Sequence, residues 1–215
     1  ISYHDLVDAA LFDPPWGYYS TGQVRFGEGG HYDTFPNALS PYFGGMMIQY
    51  AYRVWRRMGE PEQFEVCELG AGNGQLCLDA LLWCAERCRR SAIWRRFDAA
   101  LTYRIIERSP ALITRQRQQL GSLAARVRWT RIALTHRVPH NVPLAAHGVV
   151  VSNEVLDCLS HHQVVPITAG HPGVVHVLPL VPTRYAKGLP HGNIAGIDLP
   201  RGWVPIAKKG LATVM

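Results

Sequence analysis

Glu68, Gly70, Gly72 and Gly74 alternate with other residues in "FEVCELGAGNGQLCLDALL", residues 64–82, behind a short apolar run and ahead of a helical pattern. A turn with so few side chains lets a ligand approach the main chain closely. A dinucleotide would require G-x-G-x-x-G, with its pyrophosphate at the helix N-terminus. Here the third glycine arrives one residue early, and Glu68 puts a carboxylate at the strand end, close to where the phosphates would lie. A ligand carrying an amino or sulfonium cation suits that carboxylate far better than a diphosphate does. The acid for a ribose is expected at the end of the next strand. Asp98 precedes that strand, whereas Glu107 ends it and can accept hydrogen bonds from both ribose hydroxyls.

These residues need a strand–helix alternation to position them. "FEVCEL" reads as a strand, "QLCLDALLWCAERCRR" as a helix, "ALTYRIIE" as a strand and "SPALITRQRQQL" as a helix capped by Ser109 with Pro110 at its first position. "RVRWTRI" reads as a third strand. "GVVVSN" reads as a fourth, an apolar run of the kind buried on both faces of a parallel sheet. The fold class is therefore α/β, an open doubly wound Rossmann-like sheet with its ligand at the carboxyl ends of the strands.

Upstream, Phe43, Met46, Met47, Tyr50, Ala51, Val54, Trp55 and Met58 recur at helical spacing, bracketed by Ser40 as cap, Pro41 and Gly59. "FGEGGHYDTFPNALSP" reads as loop. Residues 164–215 hold 7 of the 15 prolines and 7 of the 20 glycines, and "QVVPIT" with "GVVHVLPL", joined by "AGHPG", reads as a hairpin. The expected organisation is an N-terminal helical and loop extension over 1–63, a ligand-binding core over 64–163, and a hairpin with a Pro/Gly-rich segment over 164–215. Four parallel strands leave one sheet edge uncovered, so the sheet reads as lacking its C-terminal strands.

Composition narrows the function classes. No apolar run approaches the roughly 18–20 residues that a membrane-crossing helix needs, and the N-terminus lacks a secretory-signal layout. The chain opens on Ile1, so a processed or partial chain is expected. Five cysteines, an odd number, argue for a reducing compartment. Cys77, Cys84 and Cys88 share one helix face, but no CxxC pair or neighbouring histidine completes a ligand set, so no metal is expected and they read as buried small hydrophobes. The net charge of +6 comes from 19 arginines and 3 lysines, clustered at 53–57, 87–96 and 126–131. Such clusters suit an anionic partner such as RNA, or are solvated helix faces.

A glycine turn with acids at the ends of strands one and two is the layout of class I methyltransferases. More narrowly, "ISYHDLVDAALFDPPWGYYSTG", "FGEGGHYDTFP", "LSPYFG", "CELGAGNGQL", "YRIIERSPALITRQRQQL" and "VVSNEVLDCLSHHQV" occur in family order over about residues 1–165. In these motifs the chain resembles the MidA-type S-adenosylmethionine-dependent protein arginine methyltransferases, the type that includes a mitochondrial complex I assembly factor. It departs from the family pattern at His31, Asn37 and Ser160.

The resemblance implies S-adenosylmethionine as cofactor, held by Glu68, Gly70, Gly72, Gly74 and Glu107. It also implies a partner protein with an acceptor arginine, and the mitochondrial matrix or a bacterial cytoplasm as location. Asn153, Glu154 and Asp157, just past the fourth strand, are the expected catalytic set. Asn153 would position acceptor or cofactor, Glu154 would grip the guanidinium, and Asp157 would assist or cap the following helix. His162 matches the family's "HQ" and would either shuttle a proton or serve local packing. The other function class consistent with the sequence is a methyltransferase-like assembly or structural factor within a mitochondrial protein or ribonucleoprotein complex, with RNA contacts through the arginine clusters.

Overall fold

A computed structural model describes residues 3–132 and 145–161, and the backbone of four further strand segments within 164–205. The chain divides into two compact units, Leu11–Leu159 and a second made of Ile1–Ala10 with Ser160–Met215.

The larger unit is built on four parallel strands: β1 (Phe64–Leu69), β2 (Leu101–Glu107), β3 (Val127–Arg131) and β4 (Gly148–Ser152), in the order β3-β2-β1-β4. In register, Glu68 lies beside Ile105 of β2 and Val151 of β4, so the carboxyl ends of the strands converge at the end of β1. The helices α3 (Tyr42–Arg57), α4 (Gln75–Arg90), α5 (Ala92–Ala100) and α6 (Pro110–Leu120) cover the sheet. Trp55, Leu76, Leu81, Phe97 and Tyr103 are fully buried in one core. The expected doubly wound α/β topology is what the chain adopts.

Several elements depart from expectation for identifiable reasons. The helix α5 carries Trp94 and Phe97 into the core, where Trp94 stacks on Tyr52 with ring centroids 4.2 Å apart. Its nine residues offer too few turns for a clear period, and its arginines mask the two aromatic anchors. The short helix α2 (Phe35–Ala38) lies within the segment expected to be loop, and α1 (Tyr3–Phe12) opens the described residues. Ser40 does not cap α3. Pro41 takes the N-cap position, and Ser40 Oγ accepts a hydrogen bond from Gln75 Nε2 at 3.1 Å. Met46, Tyr50 and Met58, expected inside, are exposed; the buried stripe of α3 runs through Gly44, Gly45, Ile48, Ala51 and Trp55. Small residues let α3 approach its neighbours closely, a signal that apolar periodicity alone overlooks.

The fourth strand is not buried on both faces. Only Val151 is buried and Val150 is 56% exposed, because β1 is the only neighbour of β4 among the described residues. In the smaller unit, β5 (Val164–Thr168) pairs antiparallel with β6 (His171–Val174), as the hairpin reading expects. His171 and Pro172, assigned to the joining loop, belong to the paired strand instead. A second two-stranded antiparallel pair, β7 (Leu180–Pro182) with β8 (Trp203–Pro205), completes the described elements.

Most of the arginine clusters meet neighbouring acids. Arg56 and Arg96 both engage Glu60, Arg89 and Arg90 both engage Glu86, and Arg126 engages Asp98. These are mainly half-exposed pairs, each worth no more than about 1 kcal/mol in water.

Candidate functional site

Between β1 and α4 the chain turns through Gly70 (φ 62°), Gly72 (φ 55°) and Gly74 (φ 89°), all in the left-handed region that side-chain-bearing residues rarely adopt. Space is limiting as well. A Cβ at Gly70 would lie 3.0 Å from Val155 Cγ2, and one at Gly72 would lie 3.2 Å from the ring of Phe26. Gly70 and Gly72 line a cavity that opens to solvent, with about 1000 Å³ of empty space counted out through its mouth. Gly74 does not line it; its N–H closes the turn on Ala71 O at 2.7 Å and its bare Cα lies against Gln116.

Both predicted acids sit in the cavity wall. Glu68 is 4% exposed and accepts a hydrogen bond from Tyr103 Oη at 2.7 Å. Burial pushes its carboxyl up from 4.5 to about 7, with Glu107 adding to the rise and the Tyr103 hydroxyl opposing it. Glu107 is 6% exposed and accepts from Ser109 N at 2.9 Å and Gln116 Nε2 at 3.1 Å. Its carboxyl is likewise raised by burial, and these hydrogen bonds hold the rise back. Neither acid forms an ion pair with a cation among the described residues. Two buried carboxyls in one cavity wall, held by neutral hydrogen-bond donors, suit a ligand that carries a positive charge.

Part of the cavity wall comes from the N-terminal segment. Phe12, Tyr19, Phe26 and Tyr32 line the cavity, and Tyr19 Oη donates to Cys158 Sγ at 2.9 Å. The Arg108 guanidinium lies 3.9 Å over the Phe12 ring. Nothing in the sequence spacing announced these aromatic walls. His31 is outside the cavity lining, hydrogen-bonded to Tyr18 Oη at 2.6 Å and to Arg25. Asn37 Oδ1 accepts from Asn73 Nδ2 at 2.8 Å, fastening the α2 segment to the glycine turn.

Sequence reasoning also missed Gln116, which is fully buried on α6 between Leu112 and Leu120. Its Nε2 donates both to Gly72 O at 3.0 Å and to Glu107, while its Oε1 accepts from Trp129 Nε1 at 3.0 Å. One amide thus ties the turn, the second-strand acid and β3 together. The available signal was a polar residue at the centre of an i, i+4, i+8 apolar stripe, which a core position tolerates only when its hydrogen bonds are met.

Asn153, Glu154 and Asp157 reach the same cavity from the end of β4. No α-helix follows them among the described residues, only the three-residue 3-10 turn Leu156–Cys158, so Asp157 caps nothing. Glu154 holds a left-handed φ of 49°, unusual for a residue with a side chain and a mark of local strain at functional positions. Its Oε1 accepts from Asn153 Nδ2 at 3.3 Å and, weakly, from Phe35 N at 3.5 Å, and the side chain is exposed at the cavity rim. His162 lies outside the described residues.

Comparison with known proteins agrees with this geometry. The family model "Putative S-adenosyl-L-methionine-dependent methyltransferase" matches residues 46–180. The chain belongs to this methyltransferase family. A Drosophila melanogaster relative, named as the mitochondrial protein arginine methyltransferase NDUFAF7 homolog, is 29% identical over 179 residues, covering 74% of this chain and 37% of its own length. Among solved structures, a Burkholderia thailandensis protein bound to S-adenosyl-homocysteine is 30% identical with a TM-score of 0.56, over 82% of this chain and 45% of that one. A native structure of a protein of the same superfamily and organism is 29% identical with a TM-score of 0.52, over 95% and 49%. This member of the family therefore spans less than half the length of these relatives.

Proposed function

We propose that the cavity binds S-adenosylmethionine and that the protein takes part in methylating an arginine of a partner protein. The observation carrying this reading is the pair of buried acids, Glu68 and Glu107, in the wall of the cavity that Gly70 and Gly72 also line. The fit is chemical. A cationic amino-acid portion provides the charge that Glu68 lacks, and a ribose offers the two hydroxyl donors that Glu107 can accept. When bound, the cofactor supplies an activated methyl group. The Drosophila relative's name supports arginine as the acceptor, and the S-adenosyl-homocysteine bound in the Burkholderia structure supports the cofactor.

The chain's own residues supply placement and shielding. Phe12, Phe26, Tyr19 and Tyr32 wall off water. Glu154, exposed at the rim, accepts hydrogen bonds from an incoming guanidinium and takes up its charge. That help is needed because arginine stays protonated up to a pKa of about 12 or more. Asn153 holds the Glu154 carboxylate in place, and Asp157 contributes a second negative charge to the rim.

Calorimetric titration with S-adenosylmethionine and with S-adenosyl-homocysteine tests the reading: both should bind one per chain, and NAD should not. Absence of heat with either nucleoside would refute it. The Drosophila relative's name favours a mitochondrial location, for which our reading is the matrix, and the bacterial source of the Burkholderia proteins fits the alternative of a bacterial cytoplasm. No described helix is long and apolar enough to cross a membrane. The second reading, a methyltransferase-like assembly factor in a protein or RNA complex, draws on His31 and Asn37, which depart from the family pattern, and on the arginine clusters. Steeply salt-dependent RNA binding without methylated product would favour it.

A further inference from the structure

We propose that Cys84, Cys88 and Asp98 form a binding site for a soft divalent metal, with Zn²⁺ the ion that suits it. The two thiols project from successive turns of α4, and the carboxylate comes from α5. Their ligand atoms all lie within 4.8 Å of one another. In a tetrahedral zinc site with Zn–S near 2.3 Å and Zn–O near 2.1 Å, neighbouring ligand atoms are about 3.5–3.8 Å apart. Cys84 Sγ is already 3.3 Å from Asp98 Oδ1, so only small side-chain rotations separate the cluster from that geometry.

The surroundings balance the ion. Arg126 Nη2 meets Asp98 at Oδ1, the oxygen that Cys84 also uses, and among the described residues no hydrogen bond falls on Oδ2. Two thiolates, one carboxylate, Zn²⁺ and the Arg126 guanidinium sum to zero charge. Binding replaces the two thiol protons, which leave to solvent. Cys84 is fully buried while Cys88 and Asp98 are only partly so, leaving the fourth tetrahedral position to water.

The site lies away from the cavity. Cys84 and Cys88 are 9 and 13 residues along α4 from Gln75, the helix's first residue after the glycine turn, or roughly 14–20 Å at 1.5 Å per residue. A metal there would fasten α4 to α5 and, through Arg126, to the segment leading into β3. Asp98, unsuited to a ribose because it precedes β2, supplies the ligand that the cysteine spacing lacked.

The test uses the purified full-length chain, stripped with a chelator and then titrated with Zn²⁺ or Co²⁺ alone. The expected result is one ion per chain, with the thiolate-to-cobalt charge-transfer absorption and intense visible bands of a tetrahedral site. Cys88→Ser should weaken binding at least tenfold, and Asp98→Asn about tenfold or more. Bound Zn²⁺ should also slow alkylation of Cys88 in the unaltered protein while Cys158, in the cavity wall, reacts as before. That readout needs no variant to fold. Octahedral cobalt, unchanged Zn²⁺ affinity in Cys88→Ser, unprotected Cys88, or a Cys84–Cys88 disulfide that forms in place of metal binding would each overturn the proposal.

Discussion

Replacing Gln116 by Leu keeps the approximate volume of the side chain and removes all its polar atoms, so it isolates what the amide does. Three hydrogen bonds vanish, to Gly72 O, to Glu107 Oε2 and from Trp129 Nε1. The substituted side chain is apolar and costs nothing further to bury, but its former partners each lose a bond normally worth about 1 kcal/mol net, or more where water cannot replace it. Gly72 O and Glu107 border the cavity and can take water. A loss of about 3 kcal/mol is therefore expected, which for a chain of 215 residues lowers the melting temperature by about 6–12 °C. Glu107 also loses a donor that favours its ionised form, so its carboxyl rises further and becomes a poorer acceptor for ribose. S-adenosylmethionine affinity should fall about tenfold. Circular-dichroism melting and calorimetric titration read the two effects separately. Gln116→Glu provides a directional check. Its ionised carboxylate cannot donate to Gly72 O or Glu107, so it should be worse than Leu at pH 8 and recover towards pH 5. A melting temperature within 2 °C of the unaltered protein, together with unchanged affinity, would refute the view that Gln116 couples the turn to the second-strand acid.

Other expectations follow from the same site. Glu68 titrates at about 7 in the folded chain against an ordinary 4.5, so its contribution to stability is complete below pH 4.5 and is lost as pH rises through about 7, roughly 3 kcal/mol in all. Glu107 adds to the same trend. Melting curves of the ligand-free protein from pH 5 to 8 should show this fall, and Glu68→Gln should flatten it; parallel slopes would contradict the assignment. Cofactor affinity should rise with pH over the same window, because a cationic ligand favours the carboxylate. Gly72→Val places a branched side chain against the Phe26 ring at a left-handed φ of 55°, and should lower the melting temperature and weaken S-adenosylmethionine binding at least tenfold. Glu154→Gln should leave cofactor binding intact and slow methyl transfer about a hundredfold or more; full-rate turnover would remove Glu154 from the proposed catalytic set.

What the sequence revealed of this site was set by backbone rules. The turn was legible because only glycine tolerates three left-handed conformations in five residues, and Ser109 was legible because its hydroxyl caps α6, accepting from Leu112 N at 3.2 Å. Strand ends placed Glu68 and Glu107 because apolar runs stop where the chain leaves the sheet. The aromatic wall left no such trace. Phe12, Tyr19 and Phe26 belong to a segment shaped by turns and single contacts, where no period operates and side-chain position depends on tertiary packing.

Gln116 and Asp98 belong to neither class, and they show what a closer reading can extract. Each is a polar residue placed on a helix beside core-facing apolar positions, Gln116 between Leu112 and Leu120 and Asp98 next to Phe97. Desolvating an amide or a carboxylate is affordable only if partners wait at that point. Such a residue therefore indicates a partner elsewhere in the chain, although its identity comes only from the fold. For Gln116 the partners are Gly72, Glu107 and Trp129. For Asp98 they are Cys84 and Arg126, with one carboxylate oxygen still uncommitted among the described residues. The polar exceptions in an otherwise apolar stripe thus carry the long-range information that the stripe itself lacks, and in this chain one points to the cofactor cavity and the other to the thiol cluster.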